Sequence, residues 1–137
     1  MTAYSAVNQA LYARLAGDAT LVTMLASGTL SIFVDSAPDN APLPFVVFSH
    51  QSGIELSLTA HRDPDELLYV RAFAGSPLLA GSIDARLDQL LHFQPLTVAG
   101  FTNIWLARET DISLTEKDAA LITTWNVGAL YRSKLST

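Results

Sequence analysis

The side chains whose type and spacing could do chemistry are three histidines, one pair of helix-spaced aspartates and a few large aromatics. His50, His61 and His92 are spread along the chain with no ligand spacing between them, and no HExxH occurs. There is no cysteine to complete a zinc site or serve as a nucleophile. Ser49 and His50 are adjacent. On a strand such neighbours point to opposite faces, so they cannot act as nucleophile and base. No G-x-S-x-G elbow is present. Asp84 and Asp88 are one helical turn apart and could hold a cation, but with Arg86 close by the pair reads as a solubilising face. Asp63, Asp65 and Glu66 cluster with Arg62 in a turn that lacks the calcium-loop pattern. Gly75 and Gly81 are isolated and followed by no lysine, so they make no phosphate loop. Trp105, Trp125 and Tyr131 could stack bases, but cations are too scarce to support them, and packing or an interface is the better reading. The residues point to no catalytic, cofactor-binding or metal-binding site.

The elements that position these residues are legible from periodicity. Ser5 to Leu15 predicts a helix, with Val7, Leu11 and Leu15 on one face beside Ala10. Gly17 ends it, and Asp18 caps a short second helix over Ala19 to Ala26. Leu30 to Val34 reads as a first strand. Pro38, Pro42 and Pro44 then lead into Leu43-Pro44-Phe45-Val46-Val47-Phe48, the densest apolar run. That run predicts a strand buried on both faces, central to the fold, over about Phe45 to Gln51 and closed near Gly53. Ile54 to Ala60 alternates as a half-buried strand does, and Glu66 to Ala74 follows with Leu68, Val70 and Ala72 facing one way. These two could form a hairpin arm near residues 54–66 with its tip at Asp63. Ser76 and Pro77 start the strongest helix, with Leu79, Ile83, Leu87, Leu90 and Leu91 as its stripe. The rest reads as strand: Leu96 to Ala99, Thr102 to Leu114, and Ala120 to Leu135. In the middle one Ile104, Leu106, Ile112 and Leu114 are expected to share a face. In the last, Trp125, Val127, Ala129 and Tyr131 oppose Asn126, Gly128, Leu130 and Arg132. The fold class is α+β, a mostly antiparallel sheet packed by one long helix and the N-terminal helices, as one domain over 1–137.

With 137 residues, 50% of them hydrophobic and only 15% charged, the chain has one core and a sparsely charged exterior. An average domain carries about 25% charged residues, so subunit contacts are expected. A net charge of −5 argues against gripping nucleic acid through its phosphates. The N-terminus lacks the pattern of a signal peptide, and no apolar run is long enough to span a membrane.

Three features together resemble the tail-completion, or tail terminator, proteins of long-tailed bacteriophages. They are the opening helices over Ala10 to Leu15 and Asp18 to Val22, the proline-led strand Leu43 to Phe48, and the strand–helix–two-strand order from Leu68 to the end. The resemblance implies a structural virion protein of the tail and neck, assembled in the host bacterial cytoplasm. It implies no enzyme activity and no cofactor. It implies a homo-oligomeric ring, six-fold in such proteins, that caps the head-proximal end of the tail tube and stops its growth. The partners implied are further copies of the chain, the tail tube protein and a head-side connector or stopper, with genome DNA passing through the lumen unbound. Interface residues are expected on the hairpin arm (Leu56, Leu58, His61, Arg62) and the last strand (Trp125, Tyr131, Arg132). The alternatives are a head-side adaptor or stopper of the same neck, and a small ligand-binding domain or enzyme with a cleft near His50 or His61.

Overall fold

The computed structural model describes residues 2–55, 64–117 and 122–137. Helices α1 (Ala3–Ala16) and α2 (Ala19–Met24) lead through a 3-10 turn, Gly28–Ser31, into strands β1 (Ile32–Val34), β2 (Phe45–Glu55) and β3 (Pro64–Ala74). Helix α3 (Pro77–Leu91) and strands β4 (Thr102–Lys117) and β5 (Thr123–Ser136) complete the described chain. The strands form one sheet in the order β1-β2-β3-β5-β4, antiparallel except for the β1–β2 pair. This is the expected α+β architecture, with all the helices on one face of the sheet.

The caps follow the sequence signals. Asp18 accepts from the Leu21 N–H at 2.8 Å and Ser76 from the Leu79 N–H at 3.2 Å, each satisfying a donor of the first helical turn. Asp18 has a second task, accepting from Arg86 of α3 at 2.6 and 2.9 Å and so tying α2 to α3. The Arg86 hydrogen bond holds the Asp18 carboxyl below the usual carboxylate pKa, helped by the Leu21 N–H. A carboxylate with a lowered folded pKa stabilises the fold above its unfolded value and loses that contribution as pH falls through the folded one. Asp18→Asn is therefore expected to lower Tm at neutral pH, with the gap to the parent closing below about pH 4. Thermal melts across pH 2–7 measure this; a gap that is the same at every pH contradicts it.

The core lies between the sheet and the helices. Val7, Leu11 and Leu15 of α1, Leu21 of α2 and Ile83, Leu87 and Leu91 of α3 are fully buried. They meet Phe48, Leu68, Val70, Ala129, Tyr131 and Leu135 of the sheet. Burying such side chains contributes about 1.5–3 kcal/mol each before entropy is counted.

Several expectations are corrected. The proline-led run lies second in the sheet; the middle strand is β3. Val46, Val47 and Phe48 are nonetheless buried, Val46 and Phe48 in the core beneath the helices and Val47 on the opposite face. β1 is parallel to β2, because residues 35–44 carry the chain back to the end at which β1 began. β2 does not close at Gly53. It absorbs an extra residue at Gln51 and pairs on to Glu55, opposite Pro64. At Gly53 a Cβ would stand 2.8 Å from the Glu66 carboxylate, so a larger residue there would make that side chain shift. Leu96 to Ala99 is no strand; only the Val98–Phe101 bridge forms. A register shift between Arg108 and Thr110 inverts the side-chain parity of β4. Leu106 thus lies under α3, while Ile112 and Leu114 emerge on the opposite face. Gly128 marks a close approach: a Cβ there would meet the Val70 carbonyl and Arg71 Cα of β3.

Candidate assembly interface

The residues that looked most chemical are occupied in holding the fold together. His50 lies midway along β2, beside the bulge at Gln51, nearly buried, with Nδ1 3.1 Å from Glu66 Oε2 and Nε2 2.8 Å from Asn8 Oδ1. The Tyr4 ring packs on it at 4.4 Å, and the Tyr4 hydroxyl donates to Asp35 at 3.0 Å. His50 is thus a clasp between α1, β2 and β3 with both ring nitrogens engaged, and it also borders a hollow lined by Ser49, Gln51, Tyr69 and Leu130. His92 accepts from the Arg108 N–H at 3.0 Å, closing part of the β4 edge.

Asp84 and Asp88 do hold a cation, and it belongs to the chain. Arg108 reaches across from β4 and donates to both Asp84 oxygens at 3.0 and 2.9 Å and to Asp111 at 2.7 Å. Asp88 stands at 3.7 Å, and the Tyr131 hydroxyl accepts from Arg108 at 3.2 Å. The Asp84 bonds raise the pKa of the guanidinium further. Burial pushes the Tyr131 phenol above its usual value. This cluster pins α3 to the sheet at the bulge. Tyr131, expected at an interface, is 0% exposed and belongs to this core latch. Its side shares the helix-covered face with Leu68 and Ala129, where the period of two along β5 places it.

Among the described residues the other sheet face carries no helix. Its rows are Phe45, Val47 and Ser49 on β2, Leu67, Tyr69, Arg71 and Phe73 on β3, then Asn126, Leu130 and Arg132 on β5 and Ile112 and Leu114 on β4. Phe33, Phe45 and Phe73 make an aromatic ladder across three strands, with centroids 5.7 and 4.9 Å apart. Arg71 sits at the centre, its guanidinium 5.7 Å from the Tyr69 ring and 5.5 Å from the Phe73 ring. It divides two shallow hollows, one lined by Tyr69, Ile112, Leu114 and Leu130 and the other by Phe45, Val47, Phe73 and Glu116. The larger has a volume of about 730 Å³.

Two polar groups on this face lack partners among the described residues. Asn126 is 0% exposed and neither of its amide atoms is hydrogen-bonded; Arg71 Nε is likewise unpaired. A buried group left in that state costs roughly 1–3 kcal/mol. An apolar, aromatic face of this kind is a candidate surface for a partner.

Of the other expected interface residues, Arg132 lies on this open face, bonded to Glu109 at 2.5 Å and to Asp65 at 3.5 Å. Trp125 is half-buried near the start of β5, opposite Ala74 and Thr115. Leu56, Leu58, His61 and Arg62 lie outside the described residues, as does most of the hairpin arm. The open face as a whole was missed from the sequence. Its signal was there in the apolar residues on both parities of Glu66 to Ala74, which mark a strand with two dry sides.

Among the described residues no three His, Asp or Glu side chains are placed to hold a metal ion, and no helix is long and apolar enough to cross a membrane. Among the described residues, one face of the sheet is packed by helices and the other, largely apolar, is not. The chain belongs to the family described as Tail completion protein gp17, whose model matches residues 9–126. It is a structural component of a phage tail and not an enzyme. Among solved structures, a chain titled "Virion of native gene transfer agent (GTA) particle" is similar to it, with a TM-score of 0.78 at 13% identity. The match covers 99% of this chain and 98% of that one. At that identity the likeness shows a shared fold. Among curated proteins none gives a significant match.

Proposed function

We propose that the protein is the tail terminator: a ring of copies, six by the resemblance, seated on the head-proximal end of the tail tube. The ring ends tube growth and offers the head-side connector a surface to join. The observation that carries this reading is the open sheet face, an aromatic surface with the Asn126 amide buried and unpaired, on a chain of the tail completion family. Such a face suits a protein covered by neighbours in a particle. The net charge of −5 suits a lumen through which DNA passes without being held. Particle production in cells lacking the chain tests the proposal. Overlong tubes and heads without tails are expected, and supplying the protein should restore both length and joining. Tails of normal length, joined to heads in its absence, would overturn it.

A further inference from the structure

Arg71 has surroundings unlike those of the other arginines. The strand registers place it on the open face in the row Val47, Arg71, Gly128 and Ile112, with Tyr69 and Phe73 as its neighbours along β3. None of these neighbours carries a charge. The bare Gly128 leaves the arginine stem room to lie over β5, since a Cβ there would stand 3.0 Å from Arg71 Cγ. The Tyr69 and Phe73 rings hold the guanidinium from either side.

This cation has no counter-charge. Among the described residues the other half-buried cations are all bonded: Arg14 donates to the Leu90 carbonyl, Arg86 pairs with Asp18, Arg108 with Asp84, and Arg132 and Lys134 with Asp65. Arg71 pairs with no carboxylate among them, and its Nε is buried without an acceptor. Water serves the rest of the guanidinium in the free chain. A cover removes that water, and a charge buried without a counter-charge is costly. The row offers no acid, so the cover must bring one.

Not every anion fits. Asp35 and Glu116 line the hollow beside Arg71. A nucleic acid backbone needs a row of cations and would meet those carboxylates instead. One carboxylate between apolar side chains matches the guanidinium fork and the hollows that flank it. A second copy is the poorer source. Face to face it would bring another uncompensated Arg71, and most of its described carboxylates are already held by arginine, lysine or histidine. We infer that the open face receives a different polypeptide of the particle, through a segment with one Asp or Glu between apolar residues, its carboxylate on Arg71 and its apolar neighbours in the two hollows. This rests on the assembly reading above and names what covers the face.

Arg71→Lys and Arg71→Met test it in assembled particles. Both free chains are expected to match the circular dichroism of the parent. Arg71→Lys keeps the charge and is expected to be incorporated within about threefold of the parent, whereas Arg71→Met loses the pair and is expected to fall roughly thirtyfold. Particles of Arg71→Lys are then treated with a carbodiimide, which couples an amine to a carboxylate in contact with it. The Lys134–Asp65 pair, 2.9 Å apart, is the internal control. Mass spectrometry is expected to show position 71 linked to an acidic residue of another protein of the particle, and the free variant to show no such link. A link from position 71 to a carboxylate of this chain, within one copy or between two, overturns the inference. So does the control link without any link at position 71, an Arg71→Met chain incorporated like the parent, or an Arg71→Lys chain lost as completely as Arg71→Met. Tube length and head joining in cells lacking the chain test the terminator reading separately: a missing link beside overlong tubes removes only this partner.

Discussion

Arg108→Met is expected to cost the fold about 4 kcal/mol, since removing one partner of a buried ion pair leaves its counter-charge uncompensated. Asp84, 14% exposed, would lose both of its guanidinium bonds at once. Asp111 and Asp88 would then stand close by with no cation to offset them. The Tyr131 hydroxyl would also lose a donor inside the core. Methionine roughly conserves the apolar stem, so the loss reports on the charge and not on a cavity. Arg86→Met is the control: its pair with Asp18 is more exposed, and solvent screens such pairs. Urea denaturation of the three proteins measures the difference. If Arg108→Met unfolds with the parent, the latch between α3 and the sheet has no energetic standing.

Tyr69→Asp is expected to leave the free chain folded and abolish its incorporation into particles. Tyr69 is half-buried on the open face, and the Arg71 guanidinium lies 5.7 Å from its ring. In the free chain a new carboxylate has water and that cation to stabilise it. Under a covering partner the water is removed, and a charge buried without full pairing costs about 3 kcal/mol or more. That corresponds to roughly a hundredfold loss of association. Circular dichroism should therefore match the parent while joined particles fall by that order. A Tyr69→Asp chain that supports normal particle yield would mean this face stays wet.

The sequence and the structure agree where a local rule decides. The α1 and α3 stripes, the Asp18 and Ser76 caps, the two faces of Glu66 to Ala74 and those of the last strand from Thr123 to Leu135 are all legible from periodicity. The disagreements arise where a distant residue decides. The parity of β4 turns on one extra residue near Glu109, and nothing in the alternation of Thr102 to Leu114 marks it. Asp84 and Asp88 read as a wet face because their cation, Arg108, is far along the chain and across the sheet. Tyr131 reads as an interface aromatic for the same reason. β1 turns parallel because residues 35–44 return the chain, which a strand pattern alone does not encode. The open face was half legible: each strand showed its apolar rows, but only the placement of all the helices on one side shows which rows remain uncovered.

That the open face is covered in the particle is the claim on which the functional account stands. Hydroxyl-radical footprinting of the free protein and of intact particles measures it directly, with Phe45, Tyr69, Phe73 and Leu130 as reporters and Leu78, exposed at the start of α3, as a reference. The account predicts that the four reporters lose most of their labelling on assembly relative to Leu78. Equal labelling of these residues in the free chain and in the particle would contradict it.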